Sequence, residues 1–212
     1  MKPTRSAKLY CLFSALIGWF AIILQAYFII LNRIMPLLPT LVKFFSYFTI
    51  LTNLLVAICF TYLYFNKEFK IRTWFSNPKT LPAINVYILV VGLVYNLVLR
   101  PLREAKGLEI LADELLHAIV PLLFMIFWIF FVEKSGLKWK NAFAWLVYPF
   151  VYLVYSLVRG AIIKQYPYFF IDANTLNPMQ ILVNCLMLLM VFLILSWLFI
   201  GIGKLFSKSN HI

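Results

Sequence analysis

Apolar residues in this chain come in long unbroken runs, not at every second or fourth position. Six runs, near 9–31, 43–65, 82–100, 113–132, 142–160 and 178–201, reach the roughly 20 residues a helix needs to cross a bilayer. The strict alternation of a membrane β-barrel strand is absent. Backbone in lipid must satisfy its own hydrogen bonds, so the runs predict helices. No linker composition, internal repeat or low-complexity tract interrupts them. The expectation is an all-α polytopic membrane protein, a single domain over 1–212 built as a bundle of six transmembrane helices. Lys2, Arg5 and Lys8 precede the first run, as they would in a signal peptide. That run is too long for a signal h-region and lacks a small-residue cleavage site, so it reads as a retained span.

Composition agrees with lipid as the solvent. Of 212 residues, 64% are hydrophobic and 12% charged, about half the ~25% charge of soluble domains. Orientation follows from the 19 Lys and Arg, 12 of which lie in the N-terminal tail, 66–81, 133–141 and the C-terminal tail. The remaining 7 fall in 32–43, 100–112 and 159–177. The positive-inside rule then places both termini in the cytoplasm, and if the chain is bacterial its membrane is the cell membrane. Glu104, Glu109, Asp113, Glu114 and Asp172 gather outside, Glu68 and Glu133 inside. The net charge of +12 is thereby a fringe of cytoplasmic bases able to hold anionic headgroups. Nucleic acid would need a basic patch on a folded soluble face, and none is present. Cys11, Cys59 and Cys185 are scattered through the spans, suggest neither a disulfide framework nor a metal site, and read as small packing residues.

Polar residues inside the runs collect toward the outer side. Thr49 lies about two turns into the second helix and His117 about one turn into the fourth. Asn96 and Arg100, spaced i, i+4, close the third, and Arg159 closes the fifth. Tyr148, Tyr152, Tyr155 and Arg159 share one helical face. Buried tyrosine hydroxyls need partners, so this stripe is expected to look inward; an aromatic packing stripe with a snorkelling Arg is the alternative. Ser46, Thr49 and Asn53 form another stripe, with Thr52 beside it. Such residues also serve as helix glue or bond their own i−4 carbonyls.

His117 is the histidine set within an apolar run, and ionisable groups at membrane depth are costly to keep. Asp113 stands at i−4 and Pro121 at i+4. Pro121 has no N–H for the His117 carbonyl, so the helix should open there. The Asp113 carboxylate is expected to accept a hydrogen bond from Nδ1–H and leave Nε2 as a base, or to cap the helix N-terminus. The aromatic loop 161–177 reads as a lid over an outer cavity or a belt anchor, and 101–112 as a surface-lying segment.

FSYFTILTNLLVA (45–57), DELLHAIVPLLF (113–124), YPFVYLVYSLVRG (148–160) and KQYPYFFIDANT (164–175) occur in order over most of the chain. Together they resemble the androgen-induced and androgen-dependent family of multi-pass membrane threonine hydrolases, and more closely its bacterial six-helix relatives. The resemblance implies hydrolysis of fatty-acid esters of hydroxy fatty acids, with a membrane lipid as substrate and no cofactor. It places the nucleophile on Thr49, with Thr52 as rival, and the base on His117. The position three after the family's Thr is acidic or polar in animal members and is Thr52 here.

On this reading Arg100 or Arg159 holds a carboxylate or headgroup, and Tyr152, Tyr155 or Asn96 donates to the oxyanion. The alternative is a non-enzymatic membrane protein: a small transporter or a lipid-binding or assembly protein. A transporter would favour an internal repeat and broken helices at the midplane. An intramembrane serine protease would need Gly-x-Ser, a zinc hydrolase at least three ligands, and a haem carrier a pair of histidines in the membrane. The chain has none of these.

Overall fold

A computed structural model describes residues 4–65, 75, 77 and 79–209. Lys2, Lys67, Glu68, Lys70, Arg72 and His211 lie outside the described residues. The described chain is helical, without a strand, and six helices are long and apolar enough to cross a membrane: a multi-pass membrane protein. The chain divides into two compact units, Met1–Gly136 and Leu137–Ile212.

The first unit holds α1 (Arg5–Leu31), a short α2 (Leu37–Phe44), α3 (Phe48–Phe65), α4 (Thr80–Leu102) and α5 (Leu108–Phe131). α1 packs on α3 and α5, and α4 packs between α3 and α5. α1 shows why these helices belong in lipid. Its buried stripe is made of small residues (Ala7, Cys11, Ser14, Gly18, Ala21), which let the helix approach its neighbours closely. Its exposed stripe is large and apolar (Leu9, Phe13, Leu16, Phe20, Ile23, Tyr27, Leu31). Water would not tolerate such a face.

The second run divides differently from expectation. α2 stops at Phe44, residues 45–47 form a turn, and α3 starts at Phe48. Ser46 therefore sits in the turn and leaves the expected stripe with Thr49 and Asn53. Its N–H bonds the Lys43 carbonyl at 3.0 Å. Thr49 lies in the first turn of α3, not the second. The segment after 100 also differs: α5 is already helical at Leu108, behind Gly107 with φ of 56°. His117 is thus some two and a half turns into its helix, and Asp113 lies too far from the end to cap it.

The two ends of this unit are chemically distinct. Toward the start of α1, Tyr10 donates to the Leu123 carbonyl at 2.8 Å and its ring meets Phe60, Phe127 and Phe131. At the opposite end Arg100 pairs with Glu114 and Arg103 with Asp113, joining α4 to α5. There Asn32 also donates to Glu109 at 2.8 Å, tying in α1.

The second unit contains α6 (Asn141–Ile163), with a break at Leu146, and α7 (Pro178–Ser209). A reciprocal capping pair starts α7. Asn177 Oδ1 accepts the Gln180 N–H at 2.9 Å, Gln180 Oε1 accepts the Asn177 N–H at 3.0 Å, and Pro178 takes the first helical position. The loop between them folds back on its own helices. The Tyr166 ring covers Gly160 so closely that a Cβ there would lie 2.2 Å from it. Asn174 donates to the Lys164 carbonyl at 3.1 Å and Asn184 to the Phe170 carbonyl at 2.8 Å.

Candidate functional site

α4 and α5 each contain a π turn at the polar end of the first unit, over Tyr95–Leu99 and Leu115–Ile119. Both begin six residues before a proline, Pro101 and Pro121. In the second, the Val120 N–H bonds the Leu115 carbonyl, one position beyond the α register. That shift takes the Val120 N–H from the Leu116 carbonyl, and Pro121 has none to offer His117. Two successive carbonyls therefore lose their helical donors. The expected opening at His117 is present, and it is twice as wide as proline alone would make it.

Neighbouring helices fill both positions. Asn96 Nδ2 on α4 donates to the His117 carbonyl at 3.1 Å, and also to the Gly92 carbonyl at 2.8 Å. Asn53 Nδ2 on α3 donates to the Leu116 carbonyl at 3.2 Å, and also to the Thr49 carbonyl at 2.9 Å. Gly92 permits the approach of α4: a Cβ there would lie 2.9 Å from the His117 oxygen and 3.5 Å from Pro121. α3 and α5 are thus in contact, and one amide nitrogen links the main chain of Thr49 to that of His117's neighbour.

The His117 side chain is buried, 7% exposed. Its Nδ1 lies 2.8 Å from the Asp113 main-chain carbonyl. A carbonyl can only accept, so Nδ1 carries a proton, and in the neutral ring Nε2 holds the lone pair. The ring of Tyr95 stacks on the imidazole, centroids 3.6 Å apart and planes 13° apart. The expected carboxylate–histidine bond is not formed. The Asp113 carboxylate, itself buried, is taken by Arg103 Nε, and the Tyr95 hydroxyl interacts with it too. The i−4 spacing brings the backbone oxygen to the ring because a helical carbonyl already points at that level.

Other expected residues divide by unit. Thr49, Asn53, Asn96, Arg100, Asp113 and His117 all belong to the first, with Thr52 buried on α3. Asn96 is not an oxyanion donor, since both amide hydrogens are already used. Asn96 and Arg100 both reach α5, one through the His117 carbonyl and the other through Glu114. Arg100, beyond the π turn, is 44% exposed and its guanidinium is already taken by Glu114. Tyr152, Tyr155 and Arg159 belong to the second unit. Tyr155 is 41% exposed, so the tyrosine stripe does not turn inward as a whole, and the buried positions of this helix, Ser156 and Gly160, lie to one side of it. Arg159 donates to the Gln165 carbonyl at 3.3 Å, bracing its own loop.

Sequence reading missed Tyr95, Arg103 and Gly92. A usable signal existed: YNLVLRP and LLHAIVP each set a polar side chain four or five residues before a proline inside an apolar run. Comparison with family models, curated proteins and solved structures finds no match.

Proposed function

We propose that this protein is a membrane-embedded hydrolase of lipid esters, with Thr49 as nucleophile and His117 as base. The observation that carries the reading is the Asn53 amide, which holds the Thr49 and Leu116 carbonyls to a single nitrogen at 2.9 and 3.2 Å. It sets an alcohol-bearing and an imidazole-bearing main chain side by side within one unit. The fixed tautomer adds to this, because a base needs the Nε2 lone pair.

In the proposed reaction Nε2 takes the Thr49 hydroxyl proton while Oγ1 bonds to the ester carbonyl carbon. The tetrahedral adduct then expels the alcohol, which leaves with the proton held on Nε2. Water, deprotonated by the same nitrogen, attacks the acyl-threonine and releases the fatty acid. The exposed apolar stripes suit a substrate that enters sideways with its chains in the lipid, and both termini on the cytoplasmic side accord with the basic loops.

Turnover of p-nitrophenyl decanoate by purified protein tests the assignment. Thr49→Ala and His117→Ala should each lose at least about a thousandfold in kcat, and Thr49→Ala should no longer be labelled by a fluorophosphonate probe. Full activity in both variants ends the proposal. Loss in Thr52→Ala alone moves the nucleophile three residues on. Unlabelled, inactive wild-type protein that retains bound lipid favours a carrier.

A further inference from the structure

We propose that Asn96 is a positioning residue for His117: it stands in for the N–H that Pro121 lacks and so holds the π turn of α5 in register. Asn53 does the same for Leu116. The inference rests on the reading of His117 as the base, but the geometry behind it is independent. Each amide divides its two hydrogens in the same way, one to the carbonyl four residues before it on its own helix and one across to α5.

The π register needs such support. Removing the extra residue of the turn would rotate the preceding helix by about 100° and draw it in by about 1.5 Å. The Asp113 carbonyl that anchors Nδ1 precedes the turn, and the Pro121 contact with Gly92 follows it. A change of register would therefore separate the imidazole from the Tyr95 ring that stacks on it. Pro121 blocks the regular α register, and the two amides make the irregular one tolerable in a medium without water.

Selective ¹⁵N-histidine labelling of the full chain in micelles gives the readout, since the chain has 2 histidines and His211→Gln assigns them. Wild-type His117 should show the neutral Nδ1–H form. Asn96→Leu should shift or broaden its ring signals. It should also lower kcat for p-nitrophenyl decanoate by about ten- to a hundredfold, with KM within about twofold.

Asn96→Leu leaves a carbonyl bare and can impair folding, so Pro121→Ala is combined with it. The N–H that this second change restores should remove most of the loss in unfolding midpoint, while the ring signals stay displaced. Wild-type ring signals in Asn96→Leu would overturn the proposal. So would a midpoint loss from Asn96→Leu that is equal with and without Pro121→Ala. If wild-type protein turns over no ester, the hydrolase reading falls, and the ring signals and midpoints still decide this one.

Discussion

Gly92→Ala is the sharpest probe of how α4 meets α5. In an ordinary helix interior the change would stabilise by about 1 kcal/mol, since alanine is the better helix former. Here the new Cβ would lie 2.9 Å from the His117 carbonyl oxygen, with Pro121 Cβ and Cγ at 3.5 Å. A backbone oxygen cannot swing aside, so the helices must part by several tenths of an ångström, an overpacking cost of about 1–3 kcal/mol. The same movement stretches the 3.1 Å bond from Asn96. Losing it would leave a buried acceptor bare at about 1–3 kcal/mol. Against the propensity gain, the net expectation is a destabilisation of about 1–5 kcal/mol. Gly201→Ala is the control, because its Cβ would meet Trp139 at an ordinary 3.6 Å and should be neutral or stabilising. Midpoints of unfolding by sodium dodecyl sulfate in mixed micelles compare the two. A Gly92→Ala protein as stable as Gly201→Ala would refute the close approach and the brace built on it.

Asp113→Asn should cost about 1–3 kcal/mol through the lost partner of Arg103. It should lower kcat by no more than about tenfold, because the backbone carbonyl, not the carboxylate, anchors the ring; a loss near the ~10⁴ of a triad-type orienting carboxylate would contradict that. Lys134, which lies beyond the end of α5, donates to the Ile129 and Val132 carbonyls at 2.7 and 3.0 Å and sits 5.0 Å from the Trp128 ring centre. Burial outweighs these contacts and pushes its ammonium below the usual lysine range. The unfolded chain then holds this proton more tightly, so stability rises with pH from the lowered folded value up to about 10.4. Lys134→Met should flatten that rise, measured as unfolding midpoint against pH; an unchanged slope would assign the rise to other groups.

Much of the fold was legible because hydrophobicity is a property of consecutive residues. The expected runs and the observed helices agree to within a few residues at most ends, as in 82–100 against Thr80–Leu102. The short helix Leu37–Phe44, in a stretch expected as loop, and the break after it were not legible, because Phe45, Ser46 and Tyr47 include neither proline nor glycine. The opening at His117 followed from proline chemistry alone. The role of Asp113 did not, because spacing brings a residue near the ring without saying whether its carboxylate or its carbonyl arrives.

The amino-acid order by itself determined six lipid-compatible helices and put a histidine four residues before a proline. It also supplied the asparagines. Only tertiary packing decided which carbonyls those asparagines serve, since an amide on α3 or α4 finds its acceptor on α5 through a crossing that no stretch of one helix encodes. The same packing turned Tyr95 onto the imidazole and gave the Asp113 carboxylate to Arg103. Lipid sets the helices one at a time, and unsatisfied backbone groups, intolerable in that medium, set how they meet.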